Sequence, residues 1–277
     1  MARTARINKV AANYHIMSRT NGKQFLFKDG KLKSAIIGIL RRVSDFSGVK
    51  VHAYCMMDDH FHIVCNIVKN SDPLPEKEVI RRIGRLKGSV YAAKIAEKLL
   101  SFRKNDELEQ AEAELDKWRR RMNDISEFTK TFKELVNIVY KKDHPYCGSI
   151  WSGRFKSTLI EDGKYLRNCI RYVEFNPVRA KIVSQAKDYA WSSQAAFSSA
   201  RDSGGFSAFE GSVPNEERWE MKKWVQVGNG KIFGSRGFVE TEIGISRSCF
   251  HSCRVRARQV AGSAYAAYGQ RLSKKSA

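Results

Sequence analysis

The sequence predicts a mixed α/β (α+β) protein, and three observations carry that expectation. Short apolar runs rich in β-branched and aromatic residues alternate with amphipathic stretches of helical period. The first of these segments stand in the order strand, helix, strand, strand. The last two strands are parted only by the turn Met57-Asp58-Asp59, which makes them neighbours in one sheet.

The first strand is expected at Tyr14-His15-Ile16-Met17-Ser18, with a turn at Thr20-Asn21-Gly22. Asp29 can cap a helix whose Leu32, Ile36, Ile39, Leu40, Val43 and Phe46 recur at three- and four-residue spacing, and Gly48 ends it. Val49 to Met56 reads as the second strand and His60 to Asn66 as the third. Side chains alternate along a strand, so His60 and His62 share one face while Phe61 takes the other, toward the core. Two imidazoles on one strand face can hold a divalent cation. A His-x-His pair in a chain of this size is also a common coincidence.

Residues 69–124 differ in character. Asp72-Pro-Leu-Pro-Glu76 is a break and a helix start, and basic helical material follows with Arg81, Arg82, Arg85 and Lys87. Leu108, Ala111, Leu115, Trp118, Met122 and Ile125 then repeat at 3-4-3-4-3 spacing, the pattern of a helical hairpin or short coiled coil. With fewer than three heptads, it predicts an arm packed on its own chain. An amphipathic helix continues from Ile125 to Tyr140, with Phe128, Phe132, Leu135, Val136 and Val139 as its apolar face. Beyond it, Trp151, Arg154 and Phe155 mix aromatic and basic character. They suit stacking on bases and contact with phosphate, and equally a core pair beside a salt-bridged arginine.

A further helix is expected from Lys164 to about Asn176. Leu166, Ile170 and Val173 make one row along it, and Tyr165, Cys169, Tyr172 and Asn176 make a second. Pro177 ends or kinks the helix at Asn176, fixing a short amide close to the Tyr172 phenol. The pairs His60/His62 and Tyr172/Asn176 suggest one site. Two imidazoles and an amide oxygen leave positions open for phosphate oxygens and water, which suits Mg2+ or Mn2+. A tyrosine beside such a cation can attack phosphorus and hold a cut strand covalently.

Composition points to the same partner. Lys and Arg exceed Asp and Glu by 50 − 29 = 21 over 277 residues, with a pI near 9.8, so a polyanion is expected, nucleic acid before membrane. A merely solvated basic surface is the plainer alternative. No apolar run approaches the ~18 residues of a membrane span, and the opening Met-Ala-Arg-Thr-Ala-Arg lacks a secretory apolar stretch. The six scattered cysteines read as reduced thiols, so a cytoplasmic, nucleoid-associated protein is expected.

Together these motifs resemble the single-tyrosine, His-hydrophobe-His (HUH) transposases, most closely the group associated with repetitive extragenic palindromes (REP). The likeness lies in Arg3 to His15, in the Met-x-x-His-x-His segment at 57–62, and in Trp151-Ser-Gly-Arg-Phe-Lys156. It continues in Arg171-Tyr-Val-Glu-Phe-Asn-Pro-Val-Arg-Ala180 and Tyr189-Ala-Trp-Ser-Ser193, so it covers roughly 1–68 and 125–197. It implies a ferredoxin-like sandwich with an antiparallel sheet, here with a helical insertion at about 69–124. By position it implies His60, His62 and Asn176 as ligands of Mg2+ or Mn2+, and Tyr172 as the nucleophile. The implied reaction is cleavage and rejoining of single-stranded or hairpin DNA through a 5′-phosphotyrosine. Arg154, Lys156, Trp151, Arg179, Arg254 and Arg256 are candidate nucleic-acid contacts. Asp58-Asp59 departs from the family's usual Pro-Asn, adding an acidic neighbour or ligand. The competing expectations are a DNA-binding protein whose catalysis has lapsed and a basic RNA-binding module that stacks bases on sheet aromatics.

Residues 1–197 are expected to form the transposase domain, and 198–277 a linker with a basic extension. Trp219 to Val227 and Phe233 to Glu240 suggest short helices. Cys249, His251 and Cys253 lack the second ligand pair of a zinc site, and Arg254, Arg256, Arg258, Arg271, Lys274 and Lys275 form a basic tail. A monomer or homodimer is expected, without a membrane partner.

Overall fold

The computed structural model describes residues 8–68, 72–145, 148–198, 225–227 and 230–243. Strand β1 (Ala12–Arg19) leads through helix α1 (Gly30–Ser47) into the hairpin β2 (Lys50–Met56) and β3 (His60–Ile67). Helices α2 (Glu76–Lys87), α3 (Ser89–Lys104), α4 (Leu108–Arg119) and α5 (Ile125–Asp143) follow, then β4 (Lys156–Ile160). After β4 come α6 (Lys164–Glu174), α7 (Asn176–Arg179) and α8 (Ser193–Ser198), and later β5 (Val225–Val227), β6 (Gly230–Phe233) and α9 (Arg236–Ile243).

The sheet runs β2-β3-β1-β4-β6-β5, and its first four strands are antiparallel throughout. That order, with a helical crossover after β1 and another after β3, is the expected ferredoxin-like arrangement. β6 then lies parallel to β4 and β5 antiparallel to β6. Residues 225–227, expected as helix, are therefore strand, whereas Arg236–Ile243 is helical as the pattern suggests.

Pleating divides the core. Tyr14, Ile16, Tyr54, Phe61, Ile63 and Cys65 face α1 and α5, while Ala53, Cys55, Val64 and Ile160 face α6. Asp29 caps α1 by accepting from the Lys31 N–H at 2.9 Å, and Gly48 closes it in the left-handed conformation at φ 73°. The helical arm packs onto α1 through α2, and Ala111, Leu115, Trp118 and Met122 are buried with the main core. Its 3-4 repeat is not one rod. α4 stops at Arg119, and Asp124 starts α5 by accepting from the Ser126 and Glu127 N–H groups at 2.7 and 2.8 Å. Leu108, the first residue of that repeat, is exposed.

The α6 helix ends as Pro177 requires, with a kink at Phe175 between Glu174 and Asn176. Cys55, Cys65 and Cys169 are buried free thiols. Among the described residues, no helix is long and apolar enough to cross a membrane. Arg254, Arg256, the rest of the basic tail and the Cys249–Cys253 cluster lie outside the described residues.

Candidate active site

The site forms where α6 crosses the sheet. Directly paired strand residues point to the same side, so the pairs Met17–His62, Cys55–His62 and Arg19–His60 put both histidines on the α6 face. Their rings are 5.0 Å apart and nearly perpendicular. Tyr172 comes down on them from α6. Its ring centroid is 5.8 Å from that of His62 and 5.9 Å from that of His15, edge-on in both cases. Leu166, Cys169, Ile170 and Val173 hold α6 down, so both rows read from its sequence meet the protein interior. Asn176 is fully buried at the start of α7, four residues beyond Tyr172 across the kink.

The histidines are buried and arranged in a particular way. His60 Nδ1 is bonded to Asp59 Oδ1, and His62 Nδ1 lies 2.8 Å from His15 Nε2. The two Nε2 atoms are buried without a hydrogen-bond partner. Buried polar nitrogens are rarely left so, and a pair of them on neighbouring rings is the donor set a cation would complete. Burial, followed by the nearby His15, His60 and Arg179, holds His62 well below the ordinary histidine range, so the ring is neutral and its nitrogen lone pair available. Asp59 feels burial raising its pKa, but the His60 hydrogen bond and the His60 and Arg19 charges outweigh it, leaving the carboxylate ionised. Among the described residues, no three His, Cys, Asp or Glu side chains gather as a metal cage. A cation here would therefore draw its other ligands from groups outside those residue types, such as amide, phosphate or water oxygens, as a hard, hydrated ion does.

Asp58 plays no part at the histidines. It pairs with the buried Lys33 at 2.6 Å and anchors the turn to α1. Of the adjacent acidic residues, only Asp59 touches a histidine, at the nitrogen remote from the open Nε2.

One cation lies directly on the tyrosine. The Arg179 guanidinium lies over the Tyr172 ring, 4.1 Å from its centroid, and donates to the Tyr172 carbonyl. Lys156 is exposed and pairs with Met17, so it stands in the same cross-strand row as His62. Arg154 is exposed on the approach to β4. Trp151 is a correction. It is buried against Phe27 and Phe61, and its indole N–H donates to the Lys133 carbonyl at 3.1 Å, so no face is left for a base. Phe155 is buried as well.

Two contributors escaped the motif reading. His15 sits on β1 at the same parity as Met17 and Arg19, and Arg19 lies 3.8 Å from Asp59. The alternation that places His60 and His62 also places these two once β1 is paired with β3. The sequence signal existed, but the pairing register was needed to use it.

A solved structure of a REP-associated tyrosine transposase bound to a REP hairpin is similar over 79% of this chain and 99% of its own, at 13% identity and a TM-score of 0.45. No curated protein sequence matches the chain. Residues 8–110 match the family model of IS200-like transposases. The matched segment carries both histidines and the strands β1, β2 and β3, and over that stretch the chain is similar to the IS200-like transposases.

Proposed function

We propose that this chain is a REP-associated type of tyrosine transposase that cuts and rejoins single-stranded DNA beside a hairpin, with Tyr172 as nucleophile. The observation that carries the reading is the Tyr172 ring set against His62, next to two buried imidazole nitrogens with no partner. In the cleavage step the phenol oxygen bonds to phosphorus and the phosphorus–O3′ bond breaks. The phenolic proton passes to solvent, and the departing 3′ oxygen takes one up. One ester replaces another, so nothing is oxidised and a 3′ hydroxyl can reverse the step to rejoin strands.

His60, His62 and Asn176 are the residues that would hold Mg2+ or Mn2+, whose bound charge would offset that developing on the phosphate. Imidazole donors tilt affinity toward Mn2+. Arg179 steadies the tyrosine and brings positive charge to the same place, and Lys156 and Arg154 extend that charge along the strand path. An RNA platform on open sheet aromatics fits poorly, because α6 covers one sheet face and α1 with α5 the other. The test is nicking of an end-labelled hairpin carrying a single-stranded flank. Nicking should require Mg2+ or Mn2+, stop with chelator, and be lost in His62→Ala while the fold persists. Full nicking by His62→Ala in chelator would contradict the metal role.

A further inference from the structure

We infer that His15 and Asp59 are positioning residues that fix the ring orientation and proton location of the two histidines, so that both Nε2 lone pairs face the cation. The inference rests on the metal reading above and deepens it. His60 and His62 each have one nitrogen engaged and one open, and in both rings the engaged atom is Nδ1. The engaging groups come from different places: Asp59 from the turn just before β3, His15 from the neighbouring strand β1.

The proton bookkeeping follows from chemistry. Asp59 Oδ1 meets the ring at Nδ1, and a carboxylate oxygen paired with a ring nitrogen accepts from it, so His60 Nδ1 carries the hydrogen and Nε2 keeps its lone pair. At His62 the same outcome requires His15 Nε2 to accept from the His62 Nδ1–H, which puts the His15 proton on its own Nδ1. Replacing His15 with a group that cannot accept removes that preference and frees the ring to turn. The stacked geometry, with His15 and His62 centroids 5.0 Å apart and the planes 17° from parallel, limits the rotation further. Partners of this kind typically change metal affinity about 10- to 100-fold.

The experiment titrates Mn2+ into the full chain, following the free ion by electron paramagnetic resonance. His62→Ala serves as the control for the site itself. His15→Ala should bind Mn2+ about 10- to 100-fold more weakly than wild type. His15→Gln, whose amide oxygen can accept from Nδ1, should recover most of that loss. Asp59→Ala should weaken binding similarly, and Asp59→Asn less. A variant-free measurement accompanies these: nitrogen-15 spectra of the metal-free wild type should show His60 and His62 protonated at Nδ1 and bare at Nε2. Wild-type affinity in His15→Ala, or an Nε2–H tautomer at either histidine, overturns the inference alone. Failure of wild type to bind Mn2+ overturns the metal reading and this inference with it.

Discussion

At the scale of single residues, the neighbourhood of the proposed nucleophile contains a buried acid with its own consequence. Glu174 is two residues past Tyr172, and the Ser193 hydroxyl donates to it at 2.8 Å. Burial outweighs that hydrogen bond and raises its pKa from 4.5 to about 7. The folded protein therefore holds this proton more tightly than the unfolded chain. The group costs nothing below about pH 4.5, its cost grows from there, and it reaches full size above about 7. Glu174→Gln should raise stability at pH 8 by roughly 3 kcal/mol and leave it unchanged at pH 4, as read by urea denaturation at the two pH values. Asn176 carries a different expectation. Asn176→Ala should lower Mn2+-dependent nicking less than His62→Ala does, because a water oxygen can stand in for an amide oxygen around a hard cation.

At the scale of elements, the turn out of α1 is the most demanding join. Gly48 has φ 73°, and a Cβ there would lie 2.3 Å from an Arg82 guanidinium nitrogen and 2.9 Å from the Asn123 side-chain oxygen. Gly48→Ala should cost about 1–2 kcal/mol from the left-handed backbone alone, and more from the contact, measured as a shift in urea midpoint. Gly48 was legible in the sequence as a helix stop, and Asp29 as a cap, because both act locally. His60 and His62 were legible as a pair because alternation is local too. The strand β4 was not, since Lys-Ser-Thr-Leu-Ile is short and its alternation weak, and its partner β1 lies far upstream. The roles of His15 and Trp151 depended on which strand pairs with which and which face is covered. Asp58 and Asp59 looked equivalent, and only Lys33, reaching over from α1, separates them.

At the scale of the whole molecule, a net charge of +21 and a site rimmed by Arg19, Lys156 and Arg179 call for an extended polyanion. Affinity for DNA should fall steeply between 50 and 200 mM salt, as displaced counterions require, and a hairpin with a single-stranded flank should compete better than blunt duplex at ~150 mM. Fluorescence anisotropy at several salt concentrations reads both. The central claim is that α6 delivers Tyr172 to the histidines as the group that becomes covalently joined to DNA. The most direct measurement incubates wild type and Tyr172→Phe with a labelled hairpin oligonucleotide and Mn2+, resolves the products under denaturing conditions, and maps any adduct by mass spectrometry. Wild type should give a covalent species bearing the 5′ phosphate on the peptide that begins at Tyr172, with a free 3′ hydroxyl on the released strand. Tyr172→Phe should bind the hairpin and form none. An adduct that persists in Tyr172→Phe, or one that maps to another residue, would contradict the account.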